Sequence, residues 1–260
     1  MSINRENWLR ASFRKDDVPA WPCPTCNSGM LLVAQGKHGP LINAVHTRAC
    51  LRDRGEPWYS YYEDDGMFSA MLRCSRSGCG DYVSLCGVYF TDQDFDERGG
   101  DHPAEAYMPR FFYPTVRVFQ PPKKCPENIA KEIEAAFRVY WCDTAACLNH
   151  IRCTIEMLLT HIGVRQFSKP GKKGRLTLDA RINELPARYD SFKNSLHAVR
   201  WLGNAGSHAD DVKQDDSLDG FEILEHILEE LFDPKLKRIA AISSVINKKK
   251  GPRRPKRKLP

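Results

Sequence analysis

Up to about residue 122 the apolar residues fall in short runs rich in aromatic and β-branched side chains, separated by Gly, Pro and acidic stretches. Leu31 to Ala34, Trp58 to Tyr62, Phe68 to Arg73, Tyr82 to Phe90 and Phe111 to Phe119 are predicted strands. Gly36 to Pro40 and Asp92 to Pro103 have loop composition. Pro121-Pro122 breaks any strand and marks a boundary. From Cys125 the period turns helical. Pro126-Glu127 opens a first helix through Ile129, Ile133 and Phe137, and Asp143 or Thr144 caps a second that runs to Gly163 with Leu148, Ile151, Ile155, Leu158 and Ile162 in one stripe. A third covers Leu178 to about Leu185, stopped by Pro186, and a fourth begins near Asp190. Asp219 with Glu222 has the form of a capping box for a fifth, ending at Phe232, and Asp233-Pro234 starts a sixth. Five or six helices in so short a stretch hide their apolar faces against one another, which predicts a bundle.

The chain has 260 residues, enough for two modest domains. Its 42% hydrophobic and 28% charged residues belong to a folded protein. The opening residues lack the apolar run of a signal peptide, and no stretch approaches the roughly 20 apolar residues of a membrane span. A soluble, cytoplasmic protein with no membrane partner is expected. The net charge of +6 resides in the tail: eight of the 39 Lys and Arg lie between Lys248 and Pro260 without one acid, leaving 31 basic against 33 acidic residues elsewhere. Such a run is expected to be disordered, and either binds polyanions through counterion release or keeps the chain soluble.

Ten cysteines in a chain expected to stay reduced call for metal or burial. Cys23-Pro-Thr-Cys26 and Cys74-Ser-Arg-Ser-Gly-Cys79 are two close pairs, each able to aim both thiolates at one zinc. Four thiolates close a tetrahedral, structural site with no open position and no catalytic metal; four merely buried or free thiols are the alternative. His46 and Cys50, between the pairs, are lesser candidates for a ligand role. The remaining cysteines show no metal spacing.

The run Arg200-Trp-Leu-Gly-Asn204-Ala-Gly-Ser-His208 places Arg200, Asn204 and His208 within about an 80° arc if the helix continues that far. Gly203 and Gly206 each cost about 1 kcal/mol in a helix interior, so close approach of another backbone or a ligand should compensate, unless Gly206 ends the helix.

This Arg-x-x-Gly-Asn-x-x-x-His pattern, preceded by the helix that contains Arg152-Cys-Thr-Ile-Glu156, resembles a branch of the HEPN superfamily catalogued as a domain of unknown function. The segment Pro19-Ala-Trp-Pro-Cys-Pro-Thr-Cys26 is similar to the zinc-ribbon extension many members of that branch carry. Together these features give an α+β expectation: a small antiparallel zinc-ribbon-like β domain over residues 1–122, an all-α HEPN-like helical bundle over 123–247, and a disordered basic tail over 248–260. The resemblance further implies a homodimer, metal-independent RNA cleavage, and service in bacterial defence or toxin systems alongside a partner protein. Carried over residue by residue, His208 matches the motif histidine, Arg200 the arginine and Asn204 the polar residue beside them. Here seven residues separate Arg from His, where active members place four to six.

These residue types suit cleavage by the 2′-hydroxyl. An imidazole with an ordinary pKa near 6.5 takes its proton, and a guanidinium holds the phosphoryl oxygens through the pentacovalent transition state. Arg152 and Glu156 are either a pair behind this site or a plain salt bridge. A non-catalytic module that binds a nucleotide, a nucleic acid or a partner protein is the competing expectation; a sequence-specific DNA binder lacks a recognition helix. Lys169 to Arg175 reads as a connecting loop or a nucleic-acid surface, and Trp58 to Tyr62 as sheet core or a base-stacking strip.

Overall fold

The computed structural model describes residues 3–60, 64–95, 101–168, 174–207 and 212–252. A short helix α1 (Arg5–Leu9) precedes strand β1 (Leu31–Val33), the two-residue strands β2 (Gln35–Gly36) and β3 (Gly39–Pro40), β4 (Ile42–His46) and helix α2 (Arg48–Asp53). Three long strands follow: β5 (Asp65–Cys74), β6 (Tyr82–Phe95) and β7 (Asp101–Tyr113). They form an antiparallel sheet in the order β1-β5-β6-β7, with β4 also paired to β5. Along β5 every second residue is buried, so Phe68, Ala70 and Leu72 face the core with Val83 and Leu85 of β6 and Phe112 of β7.

The helical part comprises α3 (Glu127–Val139), α4 (Thr144–His161), α5 (Leu178–Asn183), a 3-10 turn at Ala187–Phe192, α6 (Lys193–Ser207), α7 (Gln214–Phe232) and α8 (Pro234–Lys249). The Asp143 carboxylate caps α4 by accepting the Ala146 N–H at 2.8 Å, and Asp233 caps α8 through Lys235 N at 2.7 Å. No helix among the described residues is long and apolar enough to cross a membrane.

The fold is roughly α+β, but the expectation of a small zinc-ribbon-like sheet is corrected. The described residues are 44% helical and 23% strand, with a curled antiparallel sheet first and helices after it. Strands of 10, 14 and 13 residues are far longer than a ribbon needs. The sheet also shares one continuous core with the helices. Trp21 has no exposed surface and makes edge contacts with Phe13, Phe112 and Trp141 at 5.5, 5.0 and 5.5 Å between ring centres, while Trp8 meets Tyr140 at 6.1 Å. Arg5 of α1 reaches α7, pairing with Asp215, Asp219 and Glu222.

Local expectations change in five places. The predicted loop at Asp92 to Pro103 is strand at both ends, where β6 runs to Phe95 and β7 starts at Asp101, and residues 96–100 lie outside the described residues. The last predicted strand stops at Tyr113. Trp58 to Ser60 is not strand, Trp58 is 63% exposed, and Tyr61 and Tyr62 lie outside the described residues. The Asp219–Glu222 pair does not open α7. That helix begins at Gln214, where Asp216 accepts the Lys213 N–H at 2.7 Å, and both acids hold Arg5 instead. At the C-terminal end α8 continues through Lys249, past the expected start of the tail, and residues 253–260 lie outside the described residues.

Candidate functional site

Two local turns build the four-cysteine cluster. Asn27 N–H donates to the Cys23 carbonyl at 2.9 Å, folding the first pair. The second pair is the turn between β5 and β6: Cys79 and Gly80 N–H both return to the Arg76 carbonyl, at 3.0 and 2.9 Å. Asn27 and Gly80, each directly after the second cysteine of its pair, have φ of +52° and +60°. Those are conformations that asparagine and glycine tolerate best. Sheet register then joins the turns, because Leu31 pairs with Cys74 and Ser75 N–H donates to the Met30 carbonyl at 2.8 Å. A Thr25 hydroxyl donating to Asp81 at 2.6 Å ties them again.

The four Sγ atoms all lie within 4.8 Å of one another. The Cys23–Cys79 and Cys26–Cys74 separations are 3.9 and 3.6 Å. A tetrahedron of thiolates about 2.3 Å from zinc has edges of about 3.8 Å, so the cluster is compatible with a zinc site. The backbone prepares it for charge: N–H groups of Ser28 and Gly29 bring the Cys26 thiol down to about 6. At Cys79 the Asp81 N–H acts in the same direction, but burial and the three neighbouring sulfurs outweigh it and push that thiol up to about 12.

His46 and Cys50 do not join these sulfurs. With Asp64 they form a separate group, Cys50 Sγ lying 3.8 Å from His46 Nδ1 and 3.2 Å from Asp64 Oδ1. Arg54 already answers the Asp64 charge, with the Tyr59 hydroxyl on the same carboxylate.

In the helical part, α6 is helical through Ser207, which puts Arg200 and Asn204 one turn apart on one side. His208 lies outside the described residues. The Arg200 side chain is 15% exposed, pairs with Asp179 of α5 at 2.9 Å, and lies over its neighbour Trp201, 4.1 Å from the ring centre. His197, one turn before, has Nδ1 3.6 Å from the same carboxylate. Neither Asp179 nor His197 was anticipated from sequence, since an ion pair across 21 positions leaves no local pattern.

The two glycines of α6 are explained by close approach of α4. A Cβ on Gly203 would stand 2.7 Å from Arg152 Cβ, and one on Gly206 would stand 3.2 Å from the Ala145 carbonyl and from Leu148 Cβ. Gly206 is thus interior to the helix and not its cap. Arg152 and Glu156, anticipated as neighbours, are 3.9 Å apart, while Glu156 makes its shorter bond, 2.8 Å, to Arg175. Of the Lys169 to Arg175 stretch, residues 169–173 lie outside the described residues; Arg175 pairs in an antiparallel bridge with Phe167.

Comparison with known proteins yields two family models, each a domain of unknown function. Residues 134–253 match the one designated DUF4145, a stretch that holds Arg152, Arg200, Asn204 and His208. Residues 11–116 match DUF8608, a stretch that holds all four clustered cysteines. No curated protein matches the chain, and no solved structure does. The chain is therefore similar to two domain models joined in series, neither of whose descriptions states an activity.

Proposed function

We propose that the chain is an RNA-cleaving protein of HEPN type whose sheet is locked by a structural zinc at Cys23, Cys26, Cys74 and Cys79. The observation that supports the nuclease reading is the pairing of Arg200 with Asp179, one turn from Asn204 on α6. A guanidinium held by a carboxylate on one edge keeps other N–H groups for a phosphoryl group, in a fixed orientation. His208, the residue after Ser207, supplies the base. Its imidazole takes the 2′-hydroxyl proton, the oxygen attacks the adjacent phosphorus, and the 5′-oxygen leaves, giving a 2′,3′-cyclic phosphate and a 5′-hydroxyl. Arg200 stabilises the charge on the pentacovalent phosphorus, and a second protomer contributes the acid that protonates the leaving oxygen. The zinc, when bound, supplies a cross-link between the two cysteine turns and takes no part in the reaction.

The same ion pair favours a second reading, a binding module without turnover, because Asp179 already neutralises Arg200. The test is incubation of the purified protein with cellular RNA in buffer without added divalent ions. New cyclic-phosphate ends are expected, with His208→Ala cutting the rate by about a hundredfold or more at unchanged circular dichroism. Binding of RNA without any cleavage would leave the binding module as the reading that survives, and equal cleavage by His208→Ala would overturn the assignment of His208 as the base.

A further inference from the structure

Helices α4 and α5, with Gln166 and Arg175, line an open cleft of about 230 Å³. Glu156 and Thr160 of α4, Gln166, Arg175 and Arg181 of α5 supply its polar wall. This is below the roughly 300–1,000 Å³ of pockets that hold larger organic ligands.

The charges in this wall do not balance. Arg181 is 1% exposed, so its guanidinium lies almost wholly out of water. Its Nε donates to the Arg165 carbonyl at 3.2 Å and its Nη2 to Thr160 Oγ1 at 2.7 Å, both uncharged acceptors. Its Nη1 is buried without a hydrogen-bond partner among the described residues. Glu156 is the one carboxylate among the described residues of the cavity wall, and Arg175 holds it at 2.8 Å. Arg152, whose buried Nε also lacks a hydrogen bond, approaches the other oxygen of Glu156 at 3.9 Å. Among the described residues, three guanidiniums therefore share one negative charge. A buried cation without a counter-charge is strongly disfavoured, and burial depresses the Arg181 pKa for that reason, only partly offset by Glu156.

We propose that this cavity is an oxyanion site that takes a phosphate group, either as inorganic phosphate or as a phosphate of an RNA chain. A tetrahedral anion brings the missing negative charge and several acceptors to a cleft lined by Arg175 and the buried Arg181, while Thr160 and Gln166 stay engaged with each other at 2.9 Å. Glu156 then acts as the group that keeps affinity moderate, because it competes for Arg175. The inorganic-phosphate arm stands independently of the nuclease reading; the RNA arm rests on it.

The experiment is titration of the full chain with inorganic phosphate by calorimetry, at ionic strength held constant with chloride. Binding in a 1:1 ratio is expected, weakened about tenfold by Arg175→Gln and tightened about tenfold by Glu156→Gln. A purely structural Glu156 would not give that gain. Arg175 is exposed enough that its substitution leaves the fold intact, so the assay does not depend on Arg181 variants. No heat beyond the chloride control, or the same affinity in Glu156→Gln as in wild type, would overturn the proposal. The source is then read with the His208→Ala protein. Competition with phosphate by a 5′-phosphorylated oligoribonucleotide alone assigns a chain end, competition by that oligomer and its 5′-hydroxyl form alike assigns an internal phosphodiester, and competition by neither assigns the free anion. Phosphate binding without RNA cleavage would remove the nuclease reading and leave this site standing.

Discussion

Trp21→Ala is expected to lower stability by about 3–5 kcal/mol, the range for truncating a large buried aromatic residue. The effect should exceed that of an ordinary core position because Trp21 joins two halves of the molecule: its ring sits against Phe13 and Phe112 on the sheet side and Trp141 in the turn after α3. Its backbone carbonyl also accepts the Leu31 N–H at 2.9 Å, two residues before Cys23. Urea unfolding followed by helical circular dichroism and by release of bound metal should give coincident midpoints in wild type, both shifted together in the variant. A helical transition left in place while the sheet melts alone would show that the common core does not couple them.

Cys74→Ser should abolish metal retention and cost more than about 4 kcal/mol, as expected for losing a structural zinc. Cys74 ends β5 and its N–H donates to the Asp81 carbonyl at 2.8 Å across the turn, so losing the ion frees the hairpin between β5 and β6. Elemental analysis of wild type should give one zinc per chain. Cys50→Ser is the matched control: Cys50 belongs to the separate group with His46 and Asp64 and its loss should leave the zinc in place. Wild-type protein purified without metal under gentle conditions, and equally stable after prolonged chelation, would refute the zinc assignment.

How much of this was legible beforehand depended on how local each determinant is. The cysteine spacing is local, and so is the α4 stripe from Leu148 to Leu159 with its Asp143 cap; both emerge where expected. The glycines of α6 pointed to close packing, and Arg152, Ala145 and Leu148 provide it. The outer ends of β6 and β7 were missed because polar and Pro-containing residues such as Gln93 and Pro103 read as loop, whereas cross-strand pairing between them continues to Phe95 and Asp101. β4 and α2 escaped because Ile42-Asn-Ala-Val-His46 is short and only Thr47, which accepts the Cys50 N–H, announces the helix after it. The Asp219–Glu222 pattern misled for a nonlocal reason: its acids serve Arg5, more than 210 positions away. The same holds for Asp179, whose role exists only once α5 lies beside α6.

Helix α8 differs in kind from the helices before it. Ile239, Val245 and Ile246 along its length are 49, 36 and 39% exposed, so little of it is anchored to the body. Sixteen residues extend about 24 Å, and an isolated helix of that size is marginal in water. Its amide hydrogens should therefore exchange with solvent by fraying of the helix alone, while those of α4 wait for the whole molecule to open.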